Sequence, residues 1–153
     1  MTRKSIKSFI IVFVATALSY LGITNTIDPA VVLSYTEPAK DEIIREIVND
    51  DSEKIYLKAG NDRFGLNHIL KKHSNNYFPD SEQKGSLFPV GTTGKQIIQA
   101  IETAYQTGLQ DPKAYGNKEV LQTELNLNGE KGKYRLVINN NKEVITFFRL
   151  KKV

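Results

Sequence analysis

Apolar residues recur at helical spacing in three stretches of the chain and at a period of two in its last third. Ile43, Ile44, Ile47 and Val48 form the first stripe. Thr36-Glu37-Pro38 ahead of it, with proline and acids in a first turn, predicts a helix start, and Asn49-Asp50-Asp51-Ser52 predicts its end. Lys54 to Lys58 reads as a short strand or one helical turn, and Ala59-Gly60-Asn61-Asp62 as a turn. Leu66, Ile69, Leu70 and His73 fall at i, i+3, i+4 and i+7, which predicts a second helix with His73 on its apolar face. The stretch from Ser74 to Gly94 is loop-like. Thr93 to Gln96 fits a capping box, and Ile97, Ile98, Ile101, Ala104 and Tyr105 continue as a third amphipathic helix. Gly108 to Gly116 is a connector.

From Val120 the period changes: Leu121, Thr123, Leu125 and Leu127 alternate with polar neighbours. Asn128-Gly129 is a hairpin signal, Lys133 to Asn139 a strand, Asn139 to Lys142 a turn and Glu143 to Leu150 a last strand. On that strand Val144, Thr146 and Phe148 are expected to share one face. Helices first and an antiparallel sheet last make the expected fold α+β: N-terminal helices, then a C-terminal antiparallel β-sheet, all preceded by an apolar export or anchor segment.

That apolar segment sets the expected localisation. Arg3, Lys4 and Lys7 precede an uncharged run, Ser8 to Ile27, long enough for one membrane crossing. It reads either as a signal peptide, with Ala15-Thr16-Ala17 as the cleavage site, or as an uncleaved N-terminal anchor. Both place the remainder outside the cytoplasm, secreted or membrane-anchored, with membrane contact through residues 8–27. The expected division is 1–30 leader or anchor, 31–53 acidic helical segment and 54–153 folded domain. The chain has no cysteine and two histidines, so the sequence offers no disulfide, no lipid-anchor cysteine and no set of zinc ligands; no metal and no cofactor are expected.

Charge is segregated as well. Residues 31–53 carry 2 bases against 7 acids, a balance of −5, and residues 54–153 carry 16 bases against 9 acids, a balance of +7. A basic terminal half fits a polyanion partner, or simply a solvated sheet face.

The densest chemistry lies in residues 64–89, FGLNHILKKHSNNYFPDSEQKGSLFP, which hold both histidines and Lys84. Two imidazoles and an ammonium are the groups of metal-independent RNA cleavage: one imidazole takes the 2′-hydroxyl proton, the other protonates the leaving 5′-oxygen, and the ammonium offsets phosphoryl charge. His68 and His73 stand about 140° apart around a regular helix. For both to serve one phosphate the helix must end near Lys72; otherwise one histidine acts alone with Lys84. The structural alternatives are a capping His68, a half-buried His73 that closes the helix and a solvated Lys84. Tyr77 can stack on a base or pin its loop to the core, and Tyr134 reads as a core residue.

The order HILKKH, Lys84 before LFP, an apolar helix and a terminal hairpin ending VITFF resembles the bacterial EndoU-type ribonuclease domain, part of a wider group with barnase-like and RelE-like toxins. The resemblance covers about Asp62 to Leu150. It implies His68 and His73 as general acid and base, Lys84 as the charge-stabilising residue and Thr146 as the phosphate-positioning residue. Phe148 stands where the family has a tyrosine, and Val90-Gly91-Thr92 where it has a tryptophan. Phe148, Tyr77, Arg135 and Lys133 are the expected substrate contacts. The implied protein is an exported endoribonuclease toxin acting on single-stranded RNA or tRNA, blocked by an acidic immunity protein. The alternative is a non-enzymatic domain that binds a polyanion or a protein through the basic hairpin. On the toxin reading the acidic helix, Glu37 to Asp51, is a candidate intramolecular guard over the basic site.

Overall fold

The computed structural model describes residues 28–35, 38–78, 86–111 and 116–150. Residues 1–27 and Lys84, on which the export segment and the charge-stabilising lysine were expected, lie outside the described residues. The elements run α1 (Pro29–Tyr35), β1 (Ile43–Val48), β2 (Lys54–Lys58), α2 (Gly65–His73), α3 (Gly94–Thr107), β3 (Leu109–Gln110), β4 (Glu119–Leu127), β5 (Glu130–Ile138) and β6 (Val144–Arg149). The fold is α+β with antiparallel sheets.

From Pro38 onward the acidic segment is not a helix. Ile43 to Val48 form a strand, and four of its six residues are β-branched, which favours the pleated backbone. Asn49 closes the turn: its side chain accepts from the N–H of Asp51 (3.1 Å) and of Glu53 (2.8 Å), so β1 returns into β2 with Ile47 opposite Ile55. A spacing of i, i+1, i+4, i+5 suits a helix until a partner strand is available, and β2 is that partner. The expected boundary between residues 53 and 54 therefore falls inside a hairpin. Ile47, Ile55 and Leu57 are fully buried in the common core, so this segment is part of the fold and not a detachable guard. A hairpin thus precedes α2 and α3: β1 replaces the expected first helix, and Lys54–Lys58 takes the strand alternative.

The expected leader boundary moves too. Asp28 caps α1 by accepting from the N–H of Ala30 (2.9 Å), and Ala30 and Leu33 are core residues. The Asp28 carboxylate also accepts from Gly94 N–H (2.9 Å) at the start of α3 and from the Tyr77 hydroxyl (2.7 Å). Gly94 allows that approach, because a Cβ there would collide with the Asp28 carboxylate and the Ala30 methyl. Asp28, Pro29 and Ala30 belong to the domain.

The remaining elements follow their sequence signals. The helix α3 starts with the expected capping box: Thr93 Oγ1 accepts from Gln96 N–H and Gln96 Oε1 accepts from Thr93 N–H. Its Ile97, Ile98, Ile101, Ala104 and Tyr105 are buried. Asn128 and Gly129 have φ of 49° and 85°, the left-handed pair that a two-residue hairpin turn demands. The four strands are ordered β3-β4-β5-β6, and β3, in the expected connector, extends the sheet at one edge. At the other edge β2 joins β6 through a bridge between Tyr56 and Glu143 and an ion pair between Lys58 and Glu143 (2.5 Å). One face of the sheet (Leu121, Tyr134, Leu136, Ile138, Val144, Phe147) packs with the apolar faces of α2 and α3 in a single cluster.

One register detail matters for the site. Val137 opposes Thr146 while Ile138 opposes Val144, so β6 carries an extra residue at Ile145. This bulge turns Val144 into the core beside Ile138 and leaves Thr146 and Phe148 on the opposite face. Val144 and Phe148 were expected to share a face; they do not.

Candidate active site at the histidine pair

Gly65, with φ of 77°, makes the turn from β2 into α2; a Cβ there would lie 2.7 Å from the carbonyl oxygen of Lys58. The helix that follows buries Leu66, Ile69, Leu70 and His73 and runs unbroken to His73. The two imidazoles nevertheless meet, with ring centroids 6.1 Å apart at 81°. Side chains on a helix lean toward its N-terminus, so the His73 ring at the last residue reaches back along the axis toward His68. Convergence does not require the helix to end at Lys72.

Both rings have one nitrogen fixed by backbone. His73 Nδ1 donates to the carbonyl of Ser86 (2.9 Å), and His68 Nδ1 donates to the carbonyl of Asp62 (2.8 Å). A carbonyl only accepts, so each neutral ring carries its proton on Nδ1 and its lone pair on Nε2. Among the described residues neither Nε2 has a hydrogen-bond partner. The pair therefore presents two like imidazole edges held at fixed tautomers.

Their surroundings differ. His73 is 8% exposed, and its own carbonyl accepts from Phe88 N–H (2.9 Å). Its ring lies against Phe148 (5.5 Å, 22°) and edge-on to Phe88 (6.2 Å). Burial pushes the His73 pKa down to about 4; the Ser86 carbonyl opposes that shift, while His68 and Lys72 add to it. His73 is thus a neutral base at pH 7. His68 is half-exposed, beside Asp62, whose carboxyl is held below the usual carboxylate range by its hydrogen bond from Lys71 (2.6 Å).

Of the other expected site residues, Thr146 lies on the Phe148 face, and its buried Oγ1 has no hydrogen-bond partner among the described residues. Phe148 lies against His73 on one side and has the Arg135 guanidinium 6.0 Å from its ring centre. The ring is thus packed between His73 and Arg135 and remains partly exposed. Tyr77 takes its structural alternative: its hydroxyl donates to Asp28 and accepts from Gly94 N–H (2.7 Å). Burial and the Asp28 carboxylate push its pKa up to about 12.

The basic hairpin is largely paired. Lys133 lies 3.6 Å from Glu124, Arg149 2.9 Å from Glu130, and Arg135 2.7 Å from Asp111. The first pair is exposed and weak, whereas the last is buried. Asp111 and Gln122, which join Arg135 in one network, were not singled out in the sequence; a connector aspartate and a polar strand position carry no distinguishing signal. Among the described residues no group of three His, Asp or Glu side chains is placed to hold a metal ion, and no helix is long and apolar enough to cross a membrane. The chain matches no family model and no curated protein sequence.

Proposed function

We propose that the chain is a metal-independent endoribonuclease that cleaves single-stranded RNA or tRNA by attack of the 2′-hydroxyl. The observation that carries this reading is the convergence of His68 and His73 to 6.1 Å with both Nδ1 atoms tied to carbonyls. Acid–base cleavage of a phosphodiester needs two proton-transfer groups on either side of one phosphate, in fixed tautomers. The neutral His73 takes the 2′-hydroxyl proton on Nε2, and His68 in its protonated form gives a proton to the departing 5′-oxygen. The 2′-oxygen–phosphorus bond forms as the phosphorus–5′-oxygen bond breaks, which leaves a 2′,3′-cyclic phosphate and a 5′-hydroxyl. By the EndoU resemblance Thr146 is the proposed phosphate-positioning residue and Lys84 the proposed electrostatic stabiliser. The apolar N-terminal run extends the proposal to an exported protein, and the same resemblance extends it to a toxin with an acidic immunity partner.

The test is cleavage of total RNA by the full-length chain in EDTA, with His68→Ala and His73→Ala beside it. Loss of rate by about 10²–10⁴ in either variant is expected. Equal cleavage by all three proteins, or RNA binding without any cleavage, contradicts the proposal.

A further inference from the structure

The sheet face that carries Phe148 continues away from the histidines. Leu109 opposes Gln122, Gln122 opposes Arg135 and Arg135 opposes Phe148, so one row of side chains crosses all four strands. At the β3 end of the row lies a cleft of 420 Å³, lined among others by Leu109, Asp111, Gln122, Glu124 and Lys133. That volume is in the range of small-molecule sites. Gln122 stands two strand spacings, about 10 Å, from Phe148.

We infer that this cleft is a nucleobase subsite that selects a base with an exocyclic amine over uracil or thymine. The inference rests on the RNA-cleaving reading of the histidine pair and extends it to a neighbouring nucleotide. Its chemistry follows from one side chain. Gln122 Nε2 donates to Asp111 Oδ2 at 2.5 Å, and the same oxygen accepts from Arg135 at 2.7 Å. A carboxylate only accepts, so the Gln122 amide is held with its nitrogen toward Asp111. Its Oε1 has no hydrogen-bond partner among the described residues and points its lone pairs elsewhere. With the exocyclic position of the base turned toward it, an adenine or cytosine amine donates to such an oxygen, whereas the O4 carbonyl of uracil or thymine faces it acceptor to acceptor.

The rest of the cleft agrees with a base and not a phosphate. Asp111 and Glu124 in its wall are each paired with a base, Arg135 at 2.7 Å and Lys133 at 3.6 Å, so among the described residues the cleft holds no surplus cation to draw a phosphate. Leu109, 78% exposed, supplies an apolar surface beside Gln122 for the face of a ring. Arg135 ties the cleft to the histidines, since its guanidinium holds Asp111 at one end and lies over Phe148 at the other.

The test uses the full-length chain and fluorescein-labelled hexadeoxyadenylate and hexadeoxythymidylate, read by anisotropy. The adenylate is expected to bind roughly tenfold more tightly, the factor one well-placed hydrogen bond supplies. Gln122→Met keeps the length and removes the acceptor, and should bring the two affinities together. Leu109→Ala, a surface change, should weaken both oligomers by about threefold. Equal affinities in the unsubstituted protein, no binding of either, or a preference that survives Gln122→Met overturns the subsite. If Gln122→Met fails to fold, unchanged binding by Leu109→Ala does so. Neither oligomer has a 2′-hydroxyl, so the outcome is independent of cleavage. An amine preference in a protein that cuts no RNA would keep the subsite and remove only the ribonuclease reading.

Discussion

The two faces of the four-stranded sheet are built from the same strands and do different work. On the helix-covered face, Tyr134, Leu136, Ile138, Val144 and Phe147 are fully buried, and Phe147, Tyr134 and Phe88 stack on one another. On the other face Gln122, Arg135, Thr146 and Phe148 form a polar and aromatic surface that ends on His73. The first face obtains its stability from apolar area removed from water. Among the described residues partnerless buried hydroxyls lie on both faces, Tyr134 on the first and Thr146 on the second, but the buried ion pair and the titratable ring belong to the second alone. On the proposed reading the outer face is the one that acts.

Substitutions at neighbouring residues of β6 test that contrast most strongly. Phe147→Ala should destabilise the protein by about 4–5 kcal/mol in urea titration, because it empties a fully buried site. Phe148→Ala should cost about half as much in stability yet abolish most RNA cleavage, because His73 loses the ring it lies against. Equal losses of stability and equal losses of rate would erase the distinction between the faces.

Asp111→Ala should cost about 3–4 kcal/mol, since it leaves the Arg135 guanidinium in a site where it is 13% exposed without that carboxylate. A loss below 1 kcal/mol would show that Arg135 is held by other means. His73 gives the outer face a pH dependence of about 3 kcal/mol. Its folded pKa of about 4 lies below the unfolded value of 6.5, so between those values the unfolded chain binds more protons. Stability is then full above pH 6.5 and falls as pH drops toward 4; His73→Gln should flatten that slope in urea midpoints measured across the range. The smallest effect belongs to the rim: Lys133→Ala should change stability by less than about 0.5 kcal/mol, as its pair with Glu124 is exposed.

What the sequence revealed was what local period determines. The helices α2 and α3, the capping box at Thr93 and the Asn128-Gly129 hairpin are written in residues close together in the chain. The strand β1 was not legible, because IIREIV fits either period until β2 pairs with it. The bulge at Ile145 left no sequence mark, and it decides that Thr146 and Phe148 leave the core face. The site was half legible. His68 and His73 were evident as chemistry, but their approach depends on how the second ring leans back along the helix. The contacts of Asp28 with Tyr77 and Gly94, and of Asp111 with Gln122 and Arg135, join distant segments that no local pattern connects.

The central claim, that the histidine pair drives attack by a 2′-oxygen, is tested most directly with a deoxyoligonucleotide that contains a single ribonucleotide. The account predicts one cut, 3′ to that ribose, with a 2′,3′-cyclic phosphate on one fragment and a 5′-hydroxyl on the other, read by mass spectrometry in EDTA. Cleavage of the all-deoxy strand, or cuts that ignore the ribose, would contradict it.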